Sequence, residues 1–194
     1  MRQGVISYFA DIVICPLLAL ALSLFAFDRY SKEIIEWLVI LVLGVALWTL
    51  VEYFMHRVVY HHVELFRNYH EAHHANPQAY IGAPPLIGTS IVFGISFTPL
   101  LPVSAVAANG LSAGMLVGYS AYMLVHYACH SRQQTLATFL YRLRRRHAVH
   151  HYRDDGGNFG VTTAFWDRVF GTNIPTGGRP LKTHVNNSAS STAQ

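Results

Sequence analysis

An apolar run of 23 residues, 5–27, opens the chain and limits its fold more than any other feature. A helix of this length covers the ~30 Å hydrocarbon core of a bilayer, because each residue adds about 1.5 Å. The chain is 52% hydrophobic and 12% charged, whereas soluble domains are about 25% charged. The sequence therefore predicts an all-α integral membrane protein, folded as a single domain over residues 1–174.

Three further apolar segments are expected to be membrane-crossing helices. They cover residues 34–55, 84–108 and 111–130. The dipeptide Asn109-Gly110 is a turn signal that separates the last two of them. Gly114 and Gly118 have the spacing at which two membrane helices approach closely. Together with the first run, these segments predict four transmembrane helices.

Basic residues are distributed unevenly about these helices. Arg29 and Lys32 lie on one side, and eight arginines lie on the side of the histidines: Arg57, Arg67, Arg132, Arg142, Arg144, Arg145, Arg146 and Arg153. Cytoplasmic loops are enriched in such residues, so the histidines and both termini are expected in the cytoplasm, and nucleic-acid binding is not indicated. Segments 56–80 and 131–174 then form a cytoplasmic cap, and 175–194, with His184, is expected to be disordered.

Eleven of the twelve histidines fall into groups with short spacings. The patterns are HxxxxH from His56, with His62 directly after it, HxxHH from His70, HxxxH from His126 and HxxHH from His147. A lone buried histidine is more often structural than a ligand, but grouped neutral imidazoles suit iron, copper, zinc or nickel. Two clusters of about five nitrogens would satisfy two metal ions in roughly four- to six-fold coordination. We therefore predict a dinuclear site.

The predicted position of the histidines, at or beyond one membrane face, narrows the chemistry. A metal transporter would hold its ligands near the middle of the bilayer, and a membrane cytochrome would place single histidines on facing helices. A site at the membrane face instead meets a lipid chain. Unactivated C–H bonds resist acids, bases and nucleophiles, so iron with O2 fits this substrate, whereas zinc would perform hydrolysis. No hydrolase or phosphate-binding motif competes with this interpretation.

Other residues are candidates for supporting roles. Glu52 precedes His56 by one helical turn and is predicted to accept a hydrogen bond from its imidazole, with a carboxylate at the membrane interface as the alternative. Asn158 and Asp167 are candidates for orienting ligand imidazoles. Three tyrosines are candidates for lining a substrate channel, with an aromatic belt as the alternative: Tyr119, Tyr122 and Tyr127. The two cysteines, Cys15 and Cys129, are predicted to be packing residues.

Several motifs resemble the membrane fatty acid hydroxylase and sterol desaturase superfamily. They are Glu52-Tyr53 with His56-Arg57 and His61, His70-x-x-His73-His74, GYSAYMLVHYACH from Gly118, and HAVHHYRDDGGNFGVTTAFWDRVFGT from His147. The similarity covers residues 50–172 and is closest to fatty acid 2-hydroxylases, which act on the acyl chains of ceramides and related lipids. Relative to these, the loop between His61 and His70 is short, and Met123 replaces an aspartate.

The resemblance implies a di-iron oxygenase that uses O2, with zinc as a substitute metal in preparations. It implies ten metal ligands: His56, His61, His70, His73, His74, His126, His130, His147, His150 and His151. His62 is left as an outer or substrate-side residue. No fused cytochrome b5 domain fits the length, so electrons are expected from a separate ferredoxin, cytochrome or reductase.

Two alternatives remain open from the sequence. A carotenoid ring hydroxylase has similar histidine spacings, and a membrane protein that binds metal without catalysis would also have them. Four arginines beside the last apolar segment either contact anionic lipid or dock an acidic electron donor: Arg142, Arg144, Arg145 and Arg146.

Overall fold

The computed structural model describes residues 3–81, 86–131 and 138–177, and these residues form a helical bundle. The helices are α1 (Val5–Arg29), α2 (Ile34–Phe54), α3 (Glu64–Ala75), α4 (Ile87–Phe97), α5 (Ala105–His130), α6 (Thr138–Tyr152) and α7 (Phe165–Val169). A π-helical segment, Met55–Tyr60, continues α2 without a break. The predicted start of the third span at residue 84 lies outside the described residues. So do residues 178–194, with His184, of the segment 175–194 that was predicted to be disordered.

Two of these helices are long and apolar enough to cross a membrane: α1, and α2 together with its π-helical continuation, Ile34–Tyr60. Their outer faces expose large apolar side chains, and Val13, Leu17 and Leu24 on α1 are each more than half exposed. Water-soluble proteins rarely expose an apolar surface of this extent. The first two predicted helices are therefore confirmed, and the chain has the surface of a membrane protein.

Helix α5 lies at the centre of the bundle, where it packs against α1, α2, α4 and α6. Eleven of its residues are buried, which explains how it carries polar groups that a lipid-facing helix would avoid. Ser112, for example, accepts a hydrogen bond of 2.9 Å from Ser96 of α4. Protein contacts rather than lipid thus satisfy the polar side chains of this helix.

The predicted turn at Asn109-Gly110 is wrong, because both residues lie inside α5. The side chain of Asn109 is buried and accepts a 2.7 Å hydrogen bond from the indole of Trp37 on α2. A residue pair that ordinarily marks a turn is used here for contact between helices. Tertiary packing has overridden a local preference.

The break between the third and fourth apolar segments comes earlier than predicted. Helix α4 ends at Phe97, a segment of turns containing Pro99 and Pro102 follows, and Ser104 begins α5 by accepting a hydrogen bond from the amide of Ala107 at 3.1 Å. Both prolines lack the amide hydrogen that a continuing helix requires. Helix α4 therefore has 11 residues, and at about 16 Å it is too short to cross a bilayer alone.

The close contact predicted for the two spaced glycines is confirmed between α2 and α5. A β-carbon on Gly114 would collide with the carbonyl oxygen of Leu41, and one on Gly118 would lie 2.5 Å from the side chain of Trp48. Beside this contact, Cys15 packs with Trp48 in the core, and Cys129 is also buried. Both thiols are free, as expected of packing residues.

Candidate metal centre

Nine of the ten predicted ligands come together in two neighbouring groups at one end of the bundle. We call the first group site A; it contains His56, His61, His70 and His150. We call the second group site B; it contains His73, His126, His130, His147 and His151. Within each group, ligand nitrogens taken one per histidine all lie within 4.8 Å of one another. This is the spacing of nitrogens around a single ion.

Helices α3 and α6 each contribute histidines to both sites. Residues three or four positions apart lie on the same side of a helix, but their side chains point in somewhat different directions and contact different partners. On α3, His70 belongs to site A and His73 to site B. On α6, His150 belongs to site A, whereas His147 and His151 belong to site B. The histidines that are close in sequence are therefore divided between two sites, and each site joins residues about 80 or more positions apart.

The tautomers in site A follow from two hydrogen bonds to the backbone. His56 Nδ1 lies 2.6 Å from the carbonyl oxygen of Phe159, and His150 Nδ1 lies 2.9 Å from that of Gly157. A carbonyl oxygen only accepts hydrogen bonds, so both Nδ1 atoms carry the hydrogen. Burial lowers the pKa of His150 to about 4, so its ring is neutral at pH 7. Its Nε2 atom therefore presents a lone pair.

The Nε2 atoms of site A lie a short distance apart. The Nε2 atoms of His56 and His150 are 3.0 Å apart, and the Nε2 atom of His70 is 3.2 Å from that of His56. Two acceptor nitrogens this close repel each other unless a cation lies between them. The donor set of site A therefore fits a metal ion that prefers imidazole nitrogen.

Site B resembles site A in the short distances between its nitrogens and in the lowered pKa values of its histidines. His130 Nε2 is 2.9 Å from His147 Nε2 and 3.1 Å from His73 Nε2. Burial lowers the pKa of His73 to about 3, and it holds the pKa values of His147 and His151 far below their ordinary range. Both nitrogens of His151 are buried without a hydrogen-bond partner among the described residues. Buried polar atoms ordinarily have partners, so these atoms also fit metal coordination.

Two of the predicted residues fall outside both groups. His74 lies between them, since its ring stacks on that of His151 at 4.0 Å and approaches that of His70 at 4.3 Å. Its Nε2 atom is buried and has no partner among the described residues. His62, in contrast, is exposed and belongs to neither group, and its expected outer or substrate-side role stays a prediction.

The predicted hydrogen bond from His56 to Glu52 is wrong. His56 Nδ1 contacts Phe159 instead, and Glu52 accepts hydrogen bonds from the amides of Val161 and Thr162 at 2.6 and 2.8 Å. These partners lie about 110 residues further along the chain, beyond the reach of a helical-spacing argument. Buried backbone amides require acceptors, and here a carboxylate of α2 supplies one.

Asn158 and Asp167 are fully buried and hold the loop that contacts the histidines, and among the described residues their side chains bond to backbone groups, Thr172 and Arg146 rather than to an imidazole. Asn158 has φ of 58°, a left-handed conformation that asparagine tolerates, and bonds to both backbone polar groups of Ile174. Asp167 accepts from the amides of Phe159 and Gly160, each at 2.9 Å. Both residues thus stabilise the loop whose carbonyl groups, at Phe159 and Gly157, contact His56 and His150.

A cavity of about 450 Å³ lies beside both sites. His70, His73 and His126 form part of its wall, and two of the predicted channel residues, Tyr119 and Tyr122, also line it. Tyr127 does not line it; its half-exposed ring packs edge-on against Phe9 of α1. The sequence patterns did not identify six further polar residues of the wall: Gln3, Ser7, Tyr8, Asp11, Tyr60 and Tyr69. Of these, Tyr60 follows His56 by four residues and Tyr69 precedes His73 by four, so helical spacing from a ligand was a usable signal for both.

Fold and site together define a helical membrane protein with two adjacent histidine sites open to a largely apolar cavity. A model of the fatty acid hydroxylase family matches residues 41–172. The match covers more than half of the chain, which therefore belongs to the fatty acid hydroxylase family.

Individual relatives agree with this assignment. Fatty acid 2-hydroxylase from Rattus norvegicus is 34% identical over 146 residues, which are 69% of this chain and 39% of the relative. A ceramide very long chain fatty acid hydroxylase from Schizosaccharomyces pombe is 34% identical over 147 residues, covering 69% and 42%. A dihydroceramide fatty acyl 2-hydroxylase from Arabidopsis thaliana is 32% identical over 154 residues, covering 69% and 60%. The matched part of this chain thus spans 39% of the length of the rat relative and 60% of the length of the plant relative.

A solved structure has the same fold. It is that of full-length scs7p, in which only the hydroxylase domain is visible. The TM-score is 0.73 at 24% identity, with 91% of this chain and 70% of the other covered.

Proposed function

We propose that this chain is an O2-dependent di-iron hydroxylase that inserts a hydroxyl group into a C–H bond of a fatty acyl chain in a membrane lipid. The observation that carries the proposal is the close approach of the His56 and His150 Nε2 atoms, 3.0 Å apart, together with His70, which lies 3.2 Å from His56 and lines an apolar cavity. Membership of the fatty acid hydroxylase family supports the same chemistry. The reaction consumes the lipid, O2, two electrons and two protons, and yields the hydroxylated lipid and water.

The ten histidines of the predicted set would hold the metal, four in site A, five in site B and His74 between them. Iron, when bound with O2, supplies the oxidising power that an unactivated C–H bond requires. The chain contributes neutral imidazoles that are kept unprotonated by burial, so no proton competes with the metal at pH 7. An external protein supplies the electrons.

The cavity beside the two sites would hold the acyl chain. Its wall combines apolar side chains with the rings of Tyr119 and Tyr122, which stack at 6.3 Å. The Tyr122 ring is also parallel to the His126 ring at 5.6 Å, so one side chain contacts both the cavity and a ligand of site B. An acyl chain that fills this space excludes water from the reacting carbon.

The full four-span arrangement, with the histidine-rich end in the cytoplasm, is also proposed, with α4 and the turns that follow it, residues 87–104, as the third span. The packing of α1, α2 and α4 against α5 and the excess of arginine at the histidine end support it. A cysteine introduced at exposed His62 should react with a membrane-impermeant maleimide only after cells are opened. Reaction in intact cells would contradict the orientation.

The activity is tested by exposing membranes that contain the chain to ¹⁸O-labelled O2, with a chemical reductant and a ferredoxin, followed by mass spectrometry of the lipids. We expect hydroxylated acyl chains that carry the label. His150→Ala should abolish the product, and His62→Ala, which removes an exposed histidine, should retain it. A metal-loaded, reduced protein that yields no labelled hydroxylipid would favour the alternative of a metal-binding protein without catalysis.

The choice of substrate is tested in the same extracts. The relatives named above are fatty acyl or ceramide hydroxylases, which supports an acyl chain over a carotenoid ring. Label recovered in a carotenoid, and absent from acyl chains, would overturn this choice.

A further inference from the structure

A loop of residues 157–162 connects site A to the spanning helix α2. Its carbonyl groups at Gly157 and Phe159 bind the Nδ1 atoms of His150 and His56, at 2.9 and 2.6 Å. Such bonds orient a ligand ring and make its coordinating nitrogen more basic. The position of this loop therefore sets the geometry of two of the four histidines of site A.

Glu52 of α2 holds the other end of the same loop. Its side chain is 3% exposed, and its Oε1 atom accepts hydrogen bonds from the amides of Val161 and Thr162 at 2.6 and 2.8 Å. Its Oε2 atom accepts a third from the hydroxyl of Thr162 at 2.6 Å. A buried carboxylate is costly unless it is fully paired, and these three donors pair it. They also fix the loop to the helix that leads into His56.

The loop is closely packed at Gly160, so we expect that a displacement of one end would also move the other end. A β-carbon on Gly160 would collide with the carbonyl oxygen of Thr163 and lie 3.0 Å from a carboxylate oxygen of Asp167. Only glycine therefore fits between the residues that Glu52 holds and the carbonyl of Phe159. The segment is thus closely packed where it joins Phe159 to Val161, and we expect a displacement at Val161 to move the Phe159 carbonyl.

Site B receives no comparable support from this loop. The Nδ1 atoms of its ligands His147 and His151 are buried without a partner among the described residues. The two sites thus differ in how their imidazoles are oriented, although both are built from histidine alone.

We propose that Glu52 is a positioning residue for site A. Through Val161 and Thr162 it holds the two carbonyl groups that orient His56 and His150, so the metal affinity of site A depends on Glu52 and that of site B does not. This inference rests on the proposed function only in requiring that the two groups bind metal. It requires neither a particular lipid nor turnover.

The test compares Glu52→Leu with Glu52→Gln. Leucine has a similar size but accepts no hydrogen bond, so the amides of Val161 and Thr162 lose their partner. Glutamine still accepts from both amides through its oxygen, and its amide group donates to the Thr162 hydroxyl. Detergent-purified protein stripped of metal is titrated with Zn²⁺ against a competing chelator. We expect Glu52→Leu to weaken one class of site by about 10- to 100-fold, and Glu52→Gln to restore it.

Variants in the ligands identify which class is affected. His61→Ala should remove the class that Glu52→Leu weakens, and His126→Ala the other. Glu36→Leu, an exposed position on the same helix, is the matched control and should leave both classes unchanged. If Glu52→Leu does not fold, Thr162→Val removes one of the three hydrogen bonds and should weaken the same class to a smaller extent.

Equal weakening of both classes, or no change in either, would overturn the role of Glu52. The failure of the parent protein to bind metal at all would instead overturn the metal centre on which the proposed function depends. The two failures are therefore distinguishable.

Discussion

Asp167 offers a sharp test of how the site is supported, because its carboxylate is fully buried and surrounded by donors. One oxygen accepts from the Phe159 amide and the Thr172 hydroxyl, at 2.9 and 2.8 Å. The other accepts from the Gly160 amide at 2.9 Å and pairs with the Arg146 guanidinium at 3.0 Å. Arg146 is therefore an internal partner of Asp167 and is not one of the surface arginines available to contact anionic lipid or to dock an electron donor.

The perturbation is Asp167→Asn, which changes one oxygen to an amide group at constant size. In either orientation the new amide faces a backbone N–H, of Phe159 or of Gly160, so two donors meet and the Arg146 charge loses its counter-charge. Breaking a buried charge pair costs about 3–5 kcal/mol. For a protein of this size that corresponds to a decrease in Tm of about 6–20 °C.

The assay is thermal unfolding of the purified protein in detergent, with Asp155→Asn as the matched control. Asp155 lies in the preceding segment and its side chain is exposed, so its change should leave Tm near the parental value. If Asp167→Asn unfolds at the same temperature as Asp155→Asn, the carboxylate does not hold the loop as described.

Three further predictions follow from the site and the bundle. His150→Ala should lose the metal of site A and retain that of site B, whereas His62→Ala should retain both. Metal analysis of the purified variants measures this. An unchanged metal content in His150→Ala would contradict the grouping. Metal-free protein should lose stability as pH falls below about 6.5, because the unfolded chain then binds protons that folded His73 and His150, with pKa values of about 3 and about 4, do not. Melting curves from pH 7 to pH 5 measure the loss, and a stability that rises on acidification would refute the sign. Asn109→Ala should destabilise the protein by about 1–3 kcal/mol, because the buried indole N–H of Trp37 loses its acceptor. Thermal unfolding measures the loss, and a parental Tm would show that water replaces the asparagine as acceptor.

The two histidine sites have no ligand in common, but both include residues of α3 and α6. Because α3 and α6 each contribute to both sites, a change that shifts either helix should disturb both metals. A change confined to the loop at residues 157–162 reaches only the two histidines that its carbonyl groups contact. Paired measurements on both classes of site therefore separate the movement of a helix from the movement of the loop.

The sequence by itself determined the class of the protein and the histidine composition of its candidate metal centre. Composition and apolar length are sums over local residues, so helices α1 and α2 could be predicted with little information about neighbours. The histidines on α3 and α6 follow helical spacing, which is also a local property. The family motifs rest on the same short-range patterns.

Only the tertiary structure decided which residues meet. The turn expected at Asn109-Gly110 is part of α5 because Trp37, on another helix, offers a partner for the asparagine. Glu52 accepts hydrogen bonds from amides about 110 residues away rather than from its neighbour His56, because a buried loop needs acceptors that its own segment does not provide. The division of the histidines into two sites arises in the same way. Spacing along a helix specifies a direction, but only packing decides what lies there.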